Sequence, residues 1–142
     1  MYFPELDPYR DRLPQLSSAL TQLEAYLSEV VARPTRGRFD HASHDVAPVQ
    51  VANRLGVDEG LALVLLSYFE EAGIIDHRYD LYCPVTDLVV DRFSSKSNLP
   101  ASIHCPYEIA TEHTVDDYFV ELVFNFSSRF IDRHIHDHVG VR

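Results

Sequence analysis

The stretch from Val46 to Gly73 constrains the fold most, because two helices and the turn between them are written there in capping chemistry as well as in periodicity. Val46, Val49, Val51, Ala52 and Leu55 make a short helical pattern that closes on Gly56, where a left-handed backbone costs glycine little. Asp58 then offers a carboxylate to the free amides of a new first turn, and Glu59 suits the positive end of the helix dipole. Leu61, Ala62, Leu65, Leu66 and Phe69 follow at helical spacing up to a stop at Gly73. The expectation is helix, three-residue turn, helix.

Upstream, Leu13, Leu16, Leu20, Leu23, Leu27 and Val30 alternate steps of three and four, which predicts one helix from about Asp11 to Ala32. Pro14 fits its first turn, and Arg33-Pro34 ends it. The stripe has two readings: a helix docked on its own domain, or a homodimer seam made by Leu16, Leu20, Leu23 and Leu27. It lasts under three heptads, fewer than a sustained coiled coil uses. The polar, aperiodic stretch from Thr35 to His44 reads as a connection, with His41 and His44 solvated.

After Gly73 the sequence from Ile74 to Cys83 reads as two short strands around a polar tip, Asp76-His77-Arg78. With the Leu55-Gly56-Val57-Asp58 turn, the Glu71-Ala72-Gly73-Ile74 exit and a returning strand at Tyr79 to Tyr82, residues 45–83 resemble a winged-helix domain. That resemblance implies a second helix presented to a nucleic acid or protein partner.

Cys83-Pro84-Val85-Thr86 and Cys105-Pro106-Tyr107-Glu108 then repeat one another 22 positions apart. The pair, over about residues 79–126, resembles a zinc ribbon in which the second cysteine of each knuckle is replaced, by Thr86 and by Glu108. Three readings stay open: a metal-free ribbon with both cysteines as small buried hydrophobes, a disulfide, or a zinc ion held by Cys83 and Cys105 with His104, Glu108 or His113. From Tyr118 to Phe126 the chain alternates, placing Tyr118, Val120, Leu122, Phe124 and Phe126 on one strand face, with Leu88, Val89, Val90 and Phe93 as the expected partner strand. His134, His136 and His138 would share a face in a strand, but a polar tail is the simpler reading.

The whole is therefore expected to be α+β: an N-terminal helical arm (1–34), a winged helix-turn-helix (45–83), a small antiparallel zinc-ribbon-like sheet (79–130) and a His-rich tail (131–142). No apolar run approaches the roughly 18 residues of a membrane span, and the chain starts without a secretory leader, so a cytoplasmic protein is expected. Lys and Arg total 12 against 22 Asp and Glu, a formal charge of −10 that opposes binding to a polyanion. Between Arg54 and Arg78 there is no Lys or Arg, while Asp58, Glu59, Glu70, Glu71 and Asp76 all fall inside that interval. DNA is thus not the expected ligand of the second helix, and Leu63, Tyr68, Glu70 and Glu71 become the expected protein-binding residues. No nucleophile-base set or phosphate loop is present, so no enzyme and no cofactor are expected.

These readings converge on a non-catalytic adaptor or accessory protein. Winged-helix and ribbon combinations of this size resemble accessory subunits of bacterial multi-component systems, including defence systems. The alternatives are a DNA-binding regulator using Arg36, Arg38 and Arg78 on phosphates, and a metal-responsive regulator using zinc at the cysteines.

Overall fold

The computed structural model describes residues 3–33, 44–98, 102–104, 112–114 and 119–136. Helices and a small sheet make the chain an α+β protein, as expected. It divides into two compact units, Met1–Asp76 with Phe124–Arg142, and His77–Val123. This departs from the four consecutive segments expected above. The arm, the helix pair and the end of the chain share one unit.

The expected single helix from Asp11 to Ala32 is two. A 3-10 turn at Pro4–Leu6 leads into α1 (Asp7–Arg12), the backbone leaves helical geometry at Leu13 (φ −126°, ψ 62°), and a second 3-10 turn, Pro14–Leu16, leads into α2 (Ser17–Val31). Pro14 is the cause, since its ring crowds the preceding residue out of the helical region. On α2, Leu20, Leu23, Leu27 and Val30 have no exposure and Leu16 is half-buried. The dimer-seam expectation is corrected accordingly: the stripe is spent on packing within the single chain.

The break at Leu13 lets the N-terminal segment fold back on its own unit. Phe3 has no exposure and meets Phe69 and Phe130 edge-on, with ring centroids 6.3 and 5.4 Å away, while Phe126 stacks on Phe130 at 5.3 Å. Glu24, buried on α2, accepts hydrogen bonds from the Phe3 amide (2.8 Å) and from Arg10 (2.6 Å), and Arg10 also pairs with Asp7 at 3.0 Å. A charge-assisted bond in so dry a place is stronger than its surface equivalent. It fixes the chain's entry.

The helix pair forms where its caps require. α3 (Pro48–Leu55) starts with proline at the position that needs no donor, and the Gln50 side chain accepts from the Ala47 amide at 3.2 Å. Gly56 ends it with φ +70°, and the Val57 amide reaches back to the Ala52 carbonyl. α4 (Glu59–Glu71) is capped by Asp58, which accepts from the Leu61 amide at 2.7 Å. At its far end Gly73 takes φ +83°, with its amide bonded to the Glu70 carbonyl and that of Ile74 to the Phe69 carbonyl. Those two bonds satisfy carbonyls the helix would otherwise leave orphaned.

β1 (Ile75–Tyr82) is one continuous strand, so the expected wing tip at Asp76-His77-Arg78 is corrected. The reversal comes later: Asp87 takes φ +57°, its amide bonds to the Cys83 carbonyl, the Cys83 amide bonds to Leu88, and β2 (Val89–Phe93) returns antiparallel. Pro84 offers no donor and an aspartate tolerates the left-handed backbone, so the first Cys-Pro stretch is the turn. Asp80 lies opposite Arg92 and Tyr79 opposite Phe93.

A separate two-stranded pairing joins β3 (Ser102–His104) to β4 (Glu112–Thr114). β5 (Phe119–Phe126) completes a sheet of order β2-β1-β5, so β2 does not pair with β5 as expected. Nor does β5 bury one face along its length. Phe119 is 67% exposed, whereas Val123, Phe124, Asn125 and Phe126 are all buried. At this end the strand has neighbours that its start does not: Phe124 exchanges both backbone hydrogen bonds with Val46 at 2.8 Å, Asn125 donates to Asp45, and Phe126 stacks on Phe130. His44 is buried there too, which corrects its expected solvation; His41 lies outside the described residues.

Ser127 then caps α5 (Ser128–Phe130), its hydroxyl donating to the Gly73 carbonyl at 2.7 Å and accepting from the Phe130 amide. The backbone continues as a helical turn through Ile131–His136, so the alternating histidines have no strand to act on, and His138 lies outside the described residues.

Candidate functional site: the outward face of α4

Helical geometry sorts α4 into two sides. Ala62, Leu65 and Leu66 turn inward with Phe69 and are fully buried. Opposite them stand Glu59, Gly60, Leu63, Val64, Ser67 and Glu71, all exposed, with Glu70 half-buried beside them. Two aliphatic side chains occupy the middle of this face, Leu63 at 36% and Val64 at 42% exposure. Burying such groups against a partner yields roughly 25 cal/mol per Å² of apolar surface removed from water.

Of the four residues expected to bind a partner, Leu63 and Glu70 lie two helical turns apart in one row. Tyr68 falls on the flank instead. Its ring lies 5.6 Å from that of Tyr9 on α1, which covers part of it. Glu71 holds the Tyr9 hydroxyl by a hydrogen bond; burial, and then the nearby Glu71 carboxylate, push the Tyr9 phenol above its ordinary range, while Arg12, 5.0 Å over the ring, works the other way. The sequence reading missed Glu59, Val64 and Ser67. Their exposure follows from the same helical wheel that identified the core residues.

The basic side chains bounding the interval are occupied. Arg54 pairs with Glu29 and its guanidinium sits 5.4 Å over the ring of Tyr26. Arg78 donates from Nε to Asp80 Oδ1 (2.8 Å) and from Nη2 to Oδ2 (3.2 Å), and these side chains are only 14% and 4% exposed. Arg92 approaches the same carboxylate at 3.5 Å. Arg78 is thus tied into its own strand rather than offered to a phosphate, a correction to the DNA-contacting role considered for it; Arg36 and Arg38 lie outside the described residues. Arg129 reaches the C-terminal end of α4, near Gly73.

For the zinc alternative, Cys83 is buried at the β1–β2 turn, and Cys105 and Glu108 lie outside the described residues. His104 sits opposite Glu112 and His113 opposite Ile103, so the two histidines are not cross-strand partners. Among the described residues no three or more of His, Cys, Asp and Glu gather as a metal site. Among the same residues no helix is long and apolar enough to cross a membrane.

No family model matches the chain, and no curated protein or solved structure matches it either.

Proposed function

We propose that this chain is a non-catalytic adaptor or accessory protein that docks another protein on the outward face of α4, within a winged-helix-like order of elements. One observation carries the reading. Leu63 and Val64 lie exposed in the centre of a helix whose bounding arginines, Arg54 and Arg78, are each paired with a carboxylate. A duplex would meet Glu59 and Glu71 there with both bounding arginines already paired, whereas a polypeptide gains from covering the aliphatic pair. The resemblance to winged-helix and ribbon proteins adds a place as a subunit of a bacterial multi-component assembly.

A photo-reactive side chain at Leu63 tests this in native-host cells, with the same group at the exposed Gln22 of α2 as control. The expected product is a discrete protein adduct from position 63 and not from position 22. Adducts to DNA alone, or identical products from both positions, would overturn the proposal.

A further inference from the structure

We infer that residues 3–12 are an exchangeable arm: when the chain opens at Leu13 and Pro14, they leave the socket of their own unit and fill the same socket in a second copy, giving a reciprocal dimer. This exchange is independent of what docks on α4. Sequence and structure conflict at one place. Leu6, Tyr9, Leu13 and Leu16 follow at steps of three, four and three and run without a change of phase into Leu20, Leu23 and Leu27, which is the period of one continuous helix. The structure breaks that period at Leu13, into α1 and α2. Pro14 supplies the break, because inside a helix its ring would strike the Arg10 carbonyl and leave that carbonyl without a donor.

The arm is held by groups that all lie beyond this hinge. Phe3 packs against Phe69 and Phe130, its amide and Arg10 both donate to Glu24, and Tyr9 lies against Tyr68 with its hydroxyl bonded to Glu71. A second copy therefore offers an identical socket. Exchange keeps these contacts and changes the backbone only around Leu13 and the 3-10 turn after it, which is the low-cost route to a dimer. In the parent the hinge opens by extension, the backbone that a residue before proline favours. The closed form prevails in dilute solution, where the arm's own socket is at a higher effective concentration than any other. A helix former in place of Pro14 lets α1 and α2 join into one rod, which carries the arm away from its own socket and leaves it only that of another copy. In the exchanged pair the second copy's Tyr9 flanks each α4, and one assembly presents two outward α4 faces.

The test refolds an equal mixture of normal and heavy-isotope full chains, with a photo-reactive aromatic side chain at position 9, at high protein concentration, and separates dimer from monomer by chromatography with light scattering. In the dimer, about half of the adducts between position 9 and the α4 peptide around Tyr68 are expected to join a normal to a heavy peptide, the share that random reciprocal pairing gives, and in the monomer none. Pro14→Ala, once circular dichroism shows that the helical signal is kept, is expected to raise the dimer fraction roughly tenfold at equal concentration, as an interior helix breaker has been removed. Same-isotope adducts alone in the dimer would overturn the inference. So would a Pro14→Ala variant no more dimeric than the parent, or monomer alone from both chains up to ~1 mM. None of these results bears on the docking face of α4, which stands or falls with the adduct from position 63.

Discussion

The two units of the chain are held by different physics. In the first, Phe3, Phe69, Phe126 and Phe130 pack ring against ring, and Leu20, Leu23, Leu27, Leu65 and Leu66 fill the space between helices with no exposure. In the described part of the second, Leu81, Cys83 and Val123 are buried, but the centre of β1 and β2 is the Arg78–Asp80–Arg92 cluster, while Val85, Leu88, Phe119 and Val120 stay exposed. An aromatic and aliphatic core gains stability from every Å² it hides, whereas a buried ion pair fixes geometry and gains little beyond its desolvation cost. The second unit relies on one carboxylate being in place.

Truncation at each centre sharpens that contrast. Phe3→Ala is expected to cost ~3–5 kcal/mol in urea unfolding, the range for removing a fully buried phenyl ring. A loss under ~1 kcal/mol would mean that the N-terminal segment does not close the first unit.

Asp80→Ala is expected to cost ~3 kcal/mol, because it leaves the Arg78 guanidinium buried without its counter-charge. Its signature is regional: amide exchange should accelerate in β1 and β2 and stay slow in α2 and α4. Uniform acceleration would show that the two units unfold as one.

Tyr9→Phe is the smallest effect, ~1 kcal/mol at neutral pH for the lost hydrogen bond to Glu71. Its pH dependence gives the sharper reading. The folded phenol is raised above its unfolded value of 10.0, so the folded state holds the proton longer; stability is flat below about pH 10 and falls as pH climbs from there through the folded value. The Phe variant should lose that alkaline component, measured as the difference between the two unfolding curves from pH 9 to 11.

Sequence and structure agree where one principle decides locally. Asp58 and Gly73 announce the ends of α4, and Gly56 the end of α3, because caps are properties of single residues and their nearest amides. Pro14 announces the break at Leu13 as clearly, once the restriction on the residue before proline is weighed above the leucine periodicity. The β1–β2 turn is marked by Pro84 and Asp87, but the polar Asp76-His77-Arg78 stretch competes as a turn signal, since an exposed strand and a turn are alike in polarity.

Other features have no local signal. An isolated Phe3 carries no period, and its burial depends on Phe69 and Phe130, 66 and 127 residues away in sequence. Whether Arg78 is open to a phosphate or locked to Asp80 depends on the strand pairing that buries the carboxylate. The candidate face was legible in Leu63 and Glu70, and Tyr68 left it because α1, displaced by the break at Leu13, brings Tyr9 against its ring.

The central claim is that the electrostatic sign of α4 selects protein over nucleic acid, and its most direct test is fluorescence anisotropy of a labelled mixed-sequence duplex titrated with the full chain at low salt. A flat trace through the ~1–100 µM range of ordinary non-specific binding is the predicted result. A saturable rise that moves to higher protein concentration as salt is added, and that Leu63→Asp abolishes, would contradict it.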